Sequence, residues 1–132
     1  MSQENVEVVR RLLDAFNRDD TDTVLAAFDE GCEIDEPAQM PDSPTAGYRG
    51  HNGIREWMGN LREVGGASFE LRTATPSGDA LLCELASRGR GRGSDMPIEW
   101  TTFAVIDVRH GKITRIRVFL DEGEALEAVG LA

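Results

Sequence analysis

An α+β fold, with helices laid on one face of a mostly antiparallel sheet, is what this sequence predicts. Up to Val64 the apolar residues recur mainly at helical steps, and from Ala67 to Leu120 four strand-like runs follow one another, joined by short turns. Helices first and strands afterwards place the two kinds of element in separate layers.

From Val6, the residues Val6, Val9, Leu12, Leu13 and Phe16 fall at steps of three and four, with Arg10, Arg11, Asp14 and Asn17 opposite. That spacing predicts an amphipathic helix, with Ser2 as its cap. The polar break RDDTD supplies capping residues for a second, shorter helix marked by Val24, Leu25 and Phe28 and ending near Gly31. CEIDE reads as a short strand. PAQMPDSPTAG, with three prolines, reads as a long loop, and a loop of that length usually has a function of its own or is mobile. Between His51 and Val64 a third helix buries Ile54, Trp57, Met58, Leu61 and Val64, turns Arg55, Glu56, Arg62 and Glu63 outward, and stops at Gly65-Gly66.

The second half changes period. ASFELRTATPSGD alternates at Phe69, Leu71 and Thr73, ALLCELAS is an apolar run, IEWTTFAVIDV is rich in β-branched and aromatic residues, and KITRIRVFL alternates again. The short turns PSGD and RHGK make neighbouring strands antiparallel, as a meander. EGEALEAVGLA adds a last helical turn or trails off.

Composition narrows the function classes. The 132 residues suit one domain, residues 1–132, large enough to bury a core without disulfides. The 24 acids against 14 Lys and Arg leave a net charge of -10, which repels phosphate backbones and anionic lipid, so neither nucleic acid nor membrane is an expected partner. Cys32 and Cys83 lie in no ligand motif and read as reduced thiols. No apolar run of signal or spanning length occurs, and the expected location is the cytoplasm. His51 and His110 have no partners at ligand spacing, so no metal site is expected. SRGRGRGSDMP alternates Arg with Gly but lacks interleaved aromatics, and is read as a flexible hairpin loop rather than an RNA-binding segment.

The run VRRLLDAFNRDDTDTVLAAFDEGCEIDEP, then YRGHNGIREWM, then a final strand pair joined at HGKI, resembles the SnoaL-like and ketosteroid-isomerase-like branch of the nuclear transport factor 2-like superfamily, from Val6 to Leu120. The resemblance implies a cone-shaped roll: a strongly bent sheet wrapped around the helices, an apolar pocket inside, and homodimers packed sheet to sheet. The superfamily hosts isomerases, cyclases, dehydratases, epoxide hydrolases and noncatalytic binders, so fold alone leaves the activity open. It implies no cofactor.

CEIDEP crowds three carboxylates into four residues, which strands rarely do. Period two puts Cys32, Ile34 and Glu36 on one face and Glu33 and Asp35 on the other. With Ile34 facing the core, Glu36 points into the cone and its two companions point out. In ketosteroid isomerases the acid before a proline at the end of the first strand is the general base beside a carbonyl, and Glu36-Pro37 matches it. An apolar pocket disfavours a charged carboxylate and brings it toward the range where a base both takes and returns a proton.

The developing oxyanion needs donors, which in ketosteroid isomerase are a tyrosine and an Asp kept protonated by its apolar site. The matching tyrosine position falls near Leu12, and the second acid aligns with Glu99. The resemblance therefore implies Glu36 and Glu99 as catalytic candidates. It puts Ile116, Val118 and Leu120 in the pocket and Arg115, Arg117 and Phe119 on the outer, dimer-forming face. Trp57 and Phe103 are further candidate contacts, against the plainer reading of large aromatics as core. Tyr48 is a candidate for the pocket mouth, or a packing residue that positions the helix start. Three classes result: a cofactor-free acid/base enzyme, of isomerase, cyclase or dehydratase type, on a small, mostly apolar carbonyl or hydroxyl compound; a noncatalytic binder of such a compound; or a dimeric accessory domain without ligand.

Overall fold

A computed structural model describes residues 2–37, 47–62, 67–91 and 95–131. Helix α1 (Ser2–Asn17) and the short α2 (Thr21–Ala26) lead into strand β1 (Phe28–Asp35). A two-residue strand β2 (Tyr48–Arg49) precedes α3 (Gly50–Arg62), and then come β3 (Ser68–Ser77), β4 (Ala80–Arg90), β5 (Pro97–Arg109), β6 (Lys112–Phe119) and a last helix α4 (Glu122–Ala128). The strands form one curled sheet, open at both edges, in the order β2-β1-β6-β5-β4-β3. Strands β3 to β6 are the expected antiparallel meander, and β1 joins it parallel to β6.

The helices cover the concave face. Val9, Leu12, Leu13 and Phe16 of α1 and Ile54 and Met58 of α3 pack against Leu81, Cys83 and Leu85 of β4, Ala104, Ile106 and Val108 of β5, and Ile113 and Ile116 of β6. These alternate residues share one side of the pleat. The convex face carries a smaller cluster in which Ala125 of α4 packs with Leu82 and Val105, flanked by Phe103 and Phe119. Asp121 caps α4 by accepting from Glu124 N at 3.0 Å, so the closing segment is a real helix with a partner. At the other end of the sheet, Asn17 exchanges two hydrogen bonds with the backbone of Phe69, 2.9 Å to its carbonyl and 3.0 Å from its amide, pinning the end of α1 to β3.

Several boundaries differ from the sequence expectation. α1 already includes Ser2, so the expected cap is its first residue. α2 stops at Ala26 because Phe28, 2 % exposed, pairs with Ile113 as the first residue of β1. Ser87–Arg90 is not loop: it continues β4, with Arg88 opposite Glu99 and Arg90 opposite Pro97. Alternating Arg and Gly has the period of a strand, and it places both arginines on one face. The hairpin closes where Gly91 N donates to Met96 O at 2.8 Å. Most of the proline-rich loop, the segment Glu63 to Gly66, and Arg92 to Ser94 lie outside the described residues. Among the described residues, no helix is long and apolar enough to cross a membrane.

Candidate ligand site

The crowded acids of CEIDEP separate as the pleat requires. Cys32 and Ile34 are buried at 1 % and 0 % exposure, and Glu33 and Asp35 turn to the other face. There they meet arginines. Arg49 of β2 reaches Glu33 at 3.2 Å and Asp35 at 3.3 Å, and Arg115 of β6 reaches the other oxygen of Asp35 at 3.2 Å. The repulsion expected from like charges on one segment is thus offset by cations on both flanking strands. The chain returns to β2 through Gly47, at φ +73, where a Cβ would come within 2.6 Å of Ile34 O and Asp35 Oδ1, so this position requires glycine.

Glu36 lies beyond Ile34 on the inner side, in the wall of a hollow of about 60 Å³. Leu12 and Leu13 come from α1, Trp57 and Leu61 from α3, and Phe69, Leu85, Trp100, Thr102, Ala104, Ile106, Ile116 and Val118 from the sheet. Everything polar among those side chains comes from the Glu36 carboxylate, the Thr102 hydroxyl and the two indoles. The ring of Trp57 is wedged against Phe16 at 6.0 Å and edge-on to Phe28 at 6.5 Å. Its Nε1 is buried and has no hydrogen-bond partner, a state that costs about 1–3 kcal/mol for a desolvated donor. A hollow of this size has room for a few waters and is well below the roughly 300–1,000 Å³ of drug-sized ligand sites.

A larger groove of about 460 Å³ lies between α1 and β3, lined by Arg10, Asp14, Asn17, Glu70 and Arg88 among others. Its charges are of both signs on solvated side chains, which neither desolvates a reacting group nor selects one sign of ligand. Size therefore does not decide between them, and the small apolar hollow with one acid is the chemical candidate.

The sequence candidates divide between the two faces. Glu36, Trp57, Ile116 and Val118 line the hollow. Glu99 does not: β5 turns Trp100, Thr102, Ala104 and Ile106 inward, so Glu99 points outward, its side chain 74 % exposed and 3.3 Å from Arg88 Nε. Phe103 shares that outer parity and packs with the α4 cluster. Leu120, just past the end of β6, is 43 % exposed instead of entering the cone. Tyr48 is buried in the main core, its hydroxyl accepting from Asn60 Nδ2 at 2.8 Å, and does not stand at the hollow. Trp100 and Thr102 line the hollow without being sequence candidates for ligand contact; their alternation with Ala104 and Ile106 is the signal that could have found them. His51 is held by the Phe28 carbonyl, 3.0 Å from its Nε2.

The model of the SnoaL-like domain matches residues 9–116. The chain belongs to the SnoaL-like family. No curated protein matches significantly. Among solved structures, a nuclear transport factor 2-like protein from Burkholderia xenovorans LB400 superposes with a TM-score of 0.75 at 27 % identity, over 98 % of both chains. TerC, co-crystallised with polyporic acid, gives a TM-score of 0.78 at 20 % identity over 96 % of this chain and 97 % of that one. RV0760c from Mycobacterium tuberculosis, in complex with estradiol-17beta-hemisuccinate, gives 0.78 at 14 % identity over 91 % and 95 %. The superfamily and the cone-shaped roll implied by the sequence resemblance are therefore those of this chain. This SnoaL-like chain keeps an acid before proline in the hollow wall and has leucines, Leu12 and Leu13, where α1 faces it.

Proposed function

We propose that this SnoaL-like chain, read as one domain, binds a small, mostly apolar carbonyl or hydroxyl compound in the hollow and moves a proton on it without a cofactor, with Glu36 as the base. The observation that carries the reading is the position of Glu36 as the one charged side chain in the described wall of an apolar hollow. The proton adjacent to a carbonyl goes to the carboxylate, the C–H pair becomes a double bond, and the carbonyl pair moves onto oxygen. Return of the proton at another carbon completes an isomerisation, and attack of the enolate carbon on a second carbonyl of the same molecule, with the proton returned to the alkoxide so formed, completes a cyclisation. The reading requires the wall to part on binding, since about 60 Å³ admits little. That TerC and RV0760c, which share the fold, hold small organic molecules supports a ligand site of this kind.

The test is proton exchange: small enolisable ketones in D2O, with and without the protein, followed by proton NMR. Native protein should accelerate loss of the α-proton signal, and Glu36→Gln should lower that acceleration by about 10²–10⁴. Equal rates for the two proteins refute the mechanism. The position of Glu99 on the outer face favours a second reading, a noncatalytic binder, because the hollow then has a single acid. Saturable ligand binding with no exchange above background selects it.

The outer face, where Phe103 and Phe119 flank β5 and β6, is proposed to pair with a second copy, which sedimentation analysis checks. Two unpaired, buried cysteines favour a reducing compartment such as the cytoplasm.

A further inference from the structure

We infer that the indole N–H of Trp57 is the hydrogen-bond donor to the ligand's oxygen, and that the hollow selects molecules presenting an acceptor there. This rests on the ligand-site reading above and adds the group that would complete it. A tryptophan N–H can only donate, and a buried one ordinarily finds an acceptor. Trp57 lines the hollow, yet its Nε1 is bonded to neither of the acceptors sharing that wall, Glu36 and Thr102. Its ring is held by Phe16 and Phe28, so turning the N–H toward water would break two aromatic contacts. An acceptor brought by a ligand removes the cost without moving the ring.

The two groups are complementary for one chemistry. Glu36 accepts a proton from carbon, and Trp57 donates to the oxygen on which the electron pair then settles. The tyrosine of ketosteroid isomerase has no counterpart on α1, where Leu12 stands, so a donor reaching the hollow from α3 supplies what that helix does not. A hydrocarbon of the same shape would fill the hollow and leave the N–H unpaired. The ligand class is thus an apolar ketone or a related oxygen acceptor.

The experiment uses acetophenone and α-methylstyrene, which differ by C=O against C=CH2. The affinity ratio is measured for native protein and for Trp57→Phe, which keeps a ring between Phe16 and Phe28 but has no N–H. The ketone's advantage should fall about fivefold in the variant, the worth of one neutral hydrogen bond. The sequence has two tryptophans, so the nitrogen-proton spectrum of native protein has two indole signals, and acetophenone should move one of them downfield while α-methylstyrene does not. This second measurement serves if the variant fails to fold. Binding of both probes with an unchanged ratio, or with no downfield movement, overturns the inference and leaves the ligand site standing. Binding of neither probe overturns both.

Discussion

Filling the hollow should stabilise the protein and weaken the proposed ligand binding, and Ala104→Val is the substitution that separates the two effects. Ala104 is 2 % exposed on the inner face of β5, between Cys83 and Val118 on the neighbouring strands, and it lines the hollow. Valine adds two methyl equivalents and suits a strand better than alanine does. At about 24 cal/mol per Å³, a volume of about 60 Å³ corresponds to about 1.4 kcal/mol when side-chain atoms fill it. Burying two carbons at about 0.8 kcal/mol each gives about 1.6 kcal/mol. The two routes agree, so the expected gain is about 1–1.5 kcal/mol, or roughly 3–6 °C in Tm for a domain of this length. Urea denaturation and a thermal scan measure it, with acetophenone binding on the same sample. Affinity should fall at least about tenfold, because the probe and the new methyls compete for one volume. A loss of stability would mean that the inner face at Ala104 is already filled. Undiminished binding would mean that ligands sit elsewhere.

Burial pushes the Cys83 thiol from its ordinary 9.0 up to about 12, and Cys32 is also raised, chiefly by burial. Neither should react with a disulfide reagent at pH 8 in the folded state, and both should react in denaturant. Since the folded state favours the protonated thiol, the stability Cys83 contributes is intact below about pH 9 and falls as pH rises toward 12, a slope that Cys83→Ala should flatten in urea titrations. Asn17→Ala removes both bonds to the Phe69 backbone and should cost about 1–2 kcal/mol, read from the urea midpoint, whereas Asn17→Asp keeps the acceptor but sets a carboxylate oxygen against the Phe69 carbonyl and should cost no less. Asp121→Ala removes the cap of α4 and should cost about 1 kcal/mol, with faster amide exchange confined to that helix and the outer faces of β4 and β5.

Where one face of an element is wet and the other dry, the sequence is readable. β1 is the clearest instance: acids at Glu33 and Asp35 alternate with Cys32 and Ile34, only one parity buries the apolar pair, and the structure has that parity. The same contrast locates α1 and α3. β5 has no such contrast, because Phe103 and Val105 pack outward under α4 while Ala104 and Ile106 pack inward, so both faces are apolar. A strand covered on both sides reads as a continuous apolar run, and a shift of one residue exchanges its faces. The resemblance assigns Glu99 inward, and the pleat puts Trp100 there instead. Phe103 is misplaced by the same ambiguity. Tyr48 is hidden for another reason: β2 is two residues long, too short for any period, and its place follows from pairing with β1 across a distant part of the chain.

The outward parity of Glu99 bears on mechanism as well as on legibility. On the proposed reading, a hollow with two acids could pass a proton between them, whereas one with Glu36 and neutral donors would return the proton to the molecule it came from, or to solvent. Among the chemistries its family hosts, that favours shifting a proton within one ligand over expelling water, which needs an acid to protonate the leaving oxygen. Glu36→Asp separates this from simple binding. Shortening the side chain withdraws the carboxylate while preserving its charge, so a binder should keep its affinity within a few-fold, and a proton-transfer site should lose about 10²-fold or more in exchange rate, because a misplacement of about 1 Å is enough for that. Exchange that survives Glu36→Asp undiminished would show that the carboxylate does not meet the reacting carbon.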